Sequence, residues 1–111
     1  MGRGSIARSR DFRTVFARGR RARSDGLTVW ALPTSNPGAS RLGLAVRRGA
    51  GNAVTRNRIK RRIRHAFADS RPVEGFDVVA RADTEAAGKN YQQVRDDLRQ
   101  ALADAGVETR S

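Results

Sequence analysis

Residues 52–67 read Asn-Ala-Val-Thr-Arg-Asn-Arg-Ile-Lys-Arg-Arg-Ile-Arg-His-Ala-Phe, and no other stretch constrains the chain so tightly. At about 100° per residue, Ile59, Ile63, Ala66 and Phe67 fall on one arc of roughly a third of the circumference, the width of a core-facing stripe. The opposite side is cationic: Arg58, Lys60, Arg61, Arg62 and Arg64 fill it, with Arg56 at its edge and His65 among them. The spacing predicts a helix with one side committed to a core and the other to charge. Like charges one turn apart cost about a few tenths of a kcal/mol per pair. A basic helix face is ordinarily a solvated one, but no acidic residue stands between Asp25 and Asp69, so neutralisation along the helix is closed off. A polyanion is the partner that offsets the repulsion, which points to nucleic acid.

The charge is also unevenly placed along the chain. Of a formal net charge of +12, residues 1–68 hold 17 Lys or Arg against 2 Asp or Glu, whereas residues 69–111 hold 6 against 9. The partner surface is therefore written in the first two thirds. At 111 residues the chain suffices for one domain with a workable core, and no more. It has no Cys and one His, which excludes disulfides and thiolate metal sites and disfavours a zinc site. No apolar run approaches the roughly 20 residues of a membrane span, and the first ten residues lack the apolar centre of a signal peptide. A soluble, cytoplasmic protein with no membrane partner is expected.

Residues 1–8 read as a flexible basic arm, residues 9–106 as a single nucleic-acid-binding domain and residues 107–111 as a flexible tail. Ser9 is placed to cap a helix carrying Phe12, Val15 and Phe16 that stops at Gly19. Residues 20–26 read as a basic loop closed by the turn pair Asp25-Gly26. Residues 27–32 alternate as a strand, with Thr28, Trp30 and Leu32 on one face and Leu27, Val29 and Ala31 on the other. After the turn formers of 33–40, a second strand over 41–48 is expected to return antiparallel, with Leu42, Leu44 and Val46 opposite Gly43, Ala45 and Arg47. Gly49-Ala50-Gly51 breaks that pattern and feeds the basic helix. Residues 76–80 form a third strand, paired parallel to a neighbour because a whole helix precedes it. Residues 83–89 read as a polar loop. Asn90 caps a last helix with Tyr91, Val94, Leu98, Leu102 and Ala105 inward and Gly106 near its end. The order is helix, strand, strand, helix, strand, helix: a single small α+β domain with helices packed on a mixed central sheet.

No arrangement for protein-borne catalysis survives inspection. His65 sits among arginines, and the adjacent Asp96 and Asp97 point in different directions on their helix. The aromatics are more telling, since Phe12, Phe16 and Trp30 all fall in the basic part. With Arg13, Arg20 and Arg47 at its rim, an aromatic groove of this kind holds single-stranded nucleic acid by stacking. Core packing of the two Phe is the competing reading, and the residues alone leave both open.

Arg41-Leu42-Gly43-Leu44-Ala45-Val46, then Arg48, then Gly51-Asn52-Ala53-Val54-Thr55-Arg56-Asn57-Arg58-Ile59-Lys60-Arg61, closely resembles the signature of the bacterial ribonuclease P protein subunit. Ile6, Asp11-Phe12, Val15-Phe16 and Gly19 resemble that family's first helix. Trp30 falls where the family usually has an aromatic in its first strand, and residues 76–81 resemble its last strand. One departure stands out: the family commonly has two adjacent basic residues before the glycine, and here they fall on Arg48 and Gly49.

The resemblance implies a subunit of a ribonucleoprotein endonuclease that removes the 5′ leader of precursor tRNA, with the active site in the RNA. It implies two partners, the catalytic RNA and precursor tRNA, magnesium held mainly by the RNA, and a protein monomer within the holoenzyme. By position, Arg48, Arg56, Asn57, Arg58, Lys60, Arg61 and Arg64 would face the catalytic RNA. Phe12, Arg13, Phe16, Trp30 and Arg47 would line the groove for the single-stranded leader, and no residue of this chain would be catalytic. A left-handed crossover around the basic helix is implied as well. The alternative from the residues alone is a structural RNA-binding protein of ribosomal type, which accounts for the charge but gives no reason for an aromatic groove.

Overall fold

In a computed structural model of the chain, describing residues 5, 6, 8–35, 38 and 40–109, the alternating stretches pair into one four-stranded sheet of order β1-β2-β4-β3. Its strands are β1 (Arg20–Ser24), β2 (Leu27–Pro33), β3 (Arg41–Val46) and β4 (Phe76–Ala82); the helices are α1 (Ser9–Arg18), α2 (Ala53–Ser70) and α3 (Tyr91–Asp104). The expected order holds, with one strand added: residues 20–24, read as loop, form β1. Arg20-Arg21-Ala22-Arg23 has no apolar alternation to announce a strand, but β2 supplies the backbone partners, from Arg20 opposite Ala31 to Ser24 opposite Leu27. The hairpin turns through Asp25 at φ 53°, a left-handed conformation that Asp tolerates. Charged side chains suit such an edge strand because they discourage pairing with other chains.

β3 runs opposite to β2 as expected, but the two are not neighbours. β4 lies between them, antiparallel to β2 (Trp30 opposite Val79) and parallel to β3 (Gly43 opposite Val79), so the parallel pair is joined through α2. β3 also ends at Val46, two residues early, in a short 3-10 turn over Arg48–Ala50; the expected loop 83–89 holds another, Thr84–Gly88.

The two faces of the sheet are covered unequally. Leu27, Val29 and Ala31 of β2, Leu42 of β3 and Val78, Ala80 and Ala82 of β4 form one buried cluster with Ile59, Ile63, Ala66 and Phe67 of α2 and Val94, Leu98, Ala101 and Leu102 of α3. The arc read from the sequence of α2 is therefore its buried side. A side-chain oxygen begins each of these helices: Asn52 accepts from the Thr55 amide of α2, and Asn90 forms a reciprocal capping box with Gln93 on α3. Among the described residues, the other face carries α1 and the segment before it, through a smaller cluster of Ile6, Val15, Trp30 and Val79 with Phe12 and Leu32 against it. α1 can sit close because Gly43 lies beneath it: a Cβ there would come within 2.8 Å of the Phe12 ring.

Three expectations at the ends of elements are corrected. Ser9 is the first helical residue and Arg8 the cap, without a side-chain bond, its carbonyl accepting from the Asp11 and Phe12 amides. Within the supposed N-terminal arm, Ile6 is buried and donates its amide to the Leu42 carbonyl; residues 1–4 and 7 lie outside the described residues. Within the supposed tail, Val107 is buried, the Val73 amide donates to the Glu108 carbonyl and Thr109 bridges to Pro72. Apolar residues sparse enough to read as arm and tail are here the ends of the core.

Candidate nucleic-acid interface

The core stripe of α2 fixes what its other side presents. Asn57, Arg61 and Arg64 are exposed, and Arg56, Arg58 and Lys60 are half-buried. Among the described residues none of these five cations takes part in a salt bridge. The Nε–H groups of Arg56 and Arg58 are buried without an acceptor, so the chain leaves donors of both guanidiniums unused. Arg62 differs from its neighbours. Its Nη1 donates to the Lys89 carbonyl at 2.7 Å, and the Lys89 ammonium is gripped by Asp25 and Asp97, which ties α2 to the hairpin turn and α3. Burial depresses the ammonium, but those two carboxylates outweigh it and hold the lysine above its ordinary value.

Arg48 is exposed on the turn leading into α2, and Gly51 at φ 141° makes the entry in a conformation that favours glycine. Gly49, where the resemblance places a second cation, is exposed, and a Cβ there would lie 3.3 Å from Thr84 Cγ2 of the 3-10 turn that follows β4.

On the α1 side of the sheet the aromatics gather as expected, though not equally. The Phe16 ring stands edge-on to Trp30 at a centroid distance of 4.8 Å, and Phe12 is tilted against Phe16 at 6.4 Å. Phe16 is 40% exposed, Trp30 only 8%. Trp30 is thus the floor of the groove, and its ring is already occupied: the Arg81 guanidinium lies 5.1 Å and that of Arg21 5.9 Å from its centroid. Phe16 is the aromatic left free to stack.

Arg13 is exposed on α1 and Arg47 exposed at the end of β3, both as a rim requires. Arg20 is not part of that rim. It faces the other side of the sheet, opposite Ala31, with its Nη1 near Gly106. Arg21, Arg23 and Arg81 supply the charge instead. Neither Arg21 nor Arg23 is recognisable from sequence as a groove residue, because their face follows from a hairpin register that a loop does not have.

The groove and the basic helix meet. A cleft of about 130 Å³ is lined by Ser5, Ile6, Phe12, Leu42 and Leu44 and bordered by Lys60 and Arg64 of α2. Its floor is apolar and its edge cationic, the combination that suits a base with its phosphate. Arg41 braces this corner, donating through Nε and Nη2 to both oxygens of Asp77 at 2.8 and 2.7 Å, with Asp11 of α1 at 3.9 Å. Among the described residues, no three His, Cys, Asp or Glu side chains come together as metal ligands, and no helix is long and apolar enough to cross a membrane.

Comparisons with known proteins point to one family. A family model described as Ribonuclease P matches residues 3–106. The ribonuclease P protein component of a Pseudanabaena species is 38% identical over 105 residues, covering 92% of this chain and 90% of its own. That of Gluconacetobacter diazotrophicus is 36% identical over 100 residues, covering 87% and 86%. Among solved structures, the RNase P protein of Staphylococcus aureus superposes with a TM-score of 0.83 at 27% identity, covering 94% of this chain and 96% of that one. The RNase P protein of Thermotoga maritima gives 0.79 at 28%, covering 92% and 97%.

Proposed function

This chain belongs to the ribonuclease P protein family, and we propose that its basic helix and its aromatic groove act as two parts of one RNA-binding surface. Family membership makes the protein a subunit of an RNA-based endoribonuclease of tRNA 5′ processing and does not favour a structural protein of ribosomal type. In the division of labour we infer, Arg48, Arg56, Asn57, Arg58 and Arg61 hold the phosphates of the catalytic RNA. Phe12, Arg13, Phe16, Trp30 and Arg47 hold the single-stranded 5′ leader of precursor tRNA, joined by Arg21 and Arg81. Lys60 and Arg64 serve both partners.

The observation that carries this reading is the shared cleft, in which Phe12 of α1 and Lys60 and Arg64 of α2 line one wall-to-wall passage. The cut itself is assigned to the RNA, since this chain's part is to bind and orient. Magnesium is placed there too, because phosphate oxygens are the hard ligands the ion prefers. One copy of the chain per holoenzyme and a cytoplasmic site of action complete the proposal.

The test is cleavage of a precursor tRNA by a bacterial ribonuclease P RNA at low magnesium, with and without the protein. Restored processing at the correct 5′ position is the expected result. Binding to the RNA with cleavage unchanged would reduce the protein to a general RNA anchor.

A further inference from the structure

A buried carboxylate at the end of the sheet has no part in the surface so far described. Asp83 follows β4 directly, and its amide donates to the Gly26 carbonyl at 2.9 Å, which fixes it beside the hairpin turn. Its side chain is 9% exposed, and guanidinium groups from three strands converge on it. Arg23 Nη2 of β1 lies 3.6 Å from Oδ2; Arg47 Nε, one residue beyond β3, lies 3.6 Å and Arg81 Nε of β4 4.0 Å from Oδ1. These distances are longer than the roughly 2.7 to 2.9 Å of a charge-assisted hydrogen bond. Oδ1 has no hydrogen-bond partner, and neither does Arg81 Nε. The carboxylate gathers the cations by charge without using up their donors.

The cluster is also aimed. Arg81 lies over the Trp30 ring, while the side chains of Arg23 and Arg47 are 49% and 64% exposed. Arg23 is further steadied by Glu85 at 3.2 Å and by the Asp25 carbonyl at 2.8 Å. Three guanidiniums so close would spread apart if left alone, so a carboxylate beneath them sets where their outer donors point.

We propose that Asp83 is a positioning residue that gathers Arg23, Arg47 and Arg81 into one rim for the phosphodiesters of a single RNA strand lying across Phe16, above the Trp30 floor. The inference rests on the leader reading of the groove and deepens it.

Asp83→Asn decides the matter by sign. The change makes the patch more positive by one charge at nearly constant size, so charge alone predicts tighter leader binding. Positioning predicts the reverse. In reconstituted holoenzyme, the ratio of affinities for leader-bearing and leaderless tRNA should fall about tenfold, the scale of one lost charge-assisted contact. Glu74→Gln, the same change of charge at an exposed site before the opposite end of β4, should leave the ratio within about twofold. Combined with Arg23→Ala, Arg47→Ala and Arg81→Ala, Asp83→Asn should add no further loss, since it acts through them.

An unchanged or raised ratio in folded Asp83→Asn overturns the proposal, as does a full additional loss in the combined variant. If circular dichroism shows Asp83→Asn unfolded, Arg47→Ala carries the test on an exposed side chain, and an unaltered ratio there overturns it equally. Phe16→Ala is measured alongside. Loss with Phe16→Ala but not with Asp83→Asn defeats the positioning role alone; no loss with Phe16→Ala defeats the leader reading and this inference with it.

Discussion

The outer face of α2 and the groove beneath α1 are both built from arginine, yet they hold its charge in opposite ways. Along α2, Arg56, Arg58, Lys60, Arg61 and Arg64 form no salt bridge among the described residues. In the groove, Arg23, Arg41, Arg47 and Arg81 each face a carboxylate, and Arg21 and Arg81 lie against Trp30. Unpaired cations on a rigid helix give affinity that is steeply salt-dependent and indifferent to the shape of the strand. Cations held in place beside a ring give less charge and more geometry. The contrast suits a permanent grip on one RNA and a repeated, discriminating hold on another.

The largest effect expected is on Trp30, where the comparison can break. Because this side chain is the buried floor of the groove, Trp30→Ala should cost about 3 to 5 kcal/mol of stability, read by urea denaturation. A smaller loss would mean that the ring is a reader and not a support. Arg58→Ala with Arg61→Ala comes next. Affinity for the catalytic RNA should drop by about 3 kcal/mol, and the slope of log affinity against log salt by about 1.4 to 1.8, as two phosphate contacts require. The fold should not suffer, since the change relieves repulsion along the helix. Unchanged affinity would remove α2 from the interface. Phe16→Ala is the mildest and sharpest of the three. A loss of about 1 to 3 kcal/mol is expected for leader-bearing precursor, in fluorescence titration of the holoenzyme, and little for mature tRNA. Equal losses for the two would show Phe16 to be a packing residue.

Much of this contrast was legible in the sequence where a local rule governs. The period of Ile59, Ile63 and Phe67 gave the buried side of α2 and hence its charged side. The alternation of residues 27–32 put Trp30 on the face away from the main core, and Asn90 announced α3. What escaped notice depends on partners distant in the chain. β1 is a strand only because β2 offers backbone groups to Arg20-Arg21-Ala22-Arg23, and that pairing is what turns Arg21 and Arg23 toward the groove and Arg20 away. The Asp83 cluster joins residues 23, 47, 81 and 83, which no window of sequence contains. The burial of Trp30 under Arg21 and Arg81 is hidden for the same reason. Val107 looked like tail because a single apolar residue has no period.

The division of labour between the two regions is tested most directly by one paired titration. Holoenzyme assembled with wild-type protein, with Phe16→Ala, or with Arg58→Ala and Arg61→Ala would be titrated with precursor tRNA and with mature tRNA, at protein concentrations that saturate the catalytic RNA in each case. The account predicts that Phe16→Ala lowers the affinity ratio of precursor to mature tRNA by about tenfold or more. The α2 variant should preserve that ratio once the holoenzyme is assembled, its defect showing only in the concentration needed for assembly. An equal fall in the ratio for both variants would contradict the account, because helix and groove would then be one undivided surface.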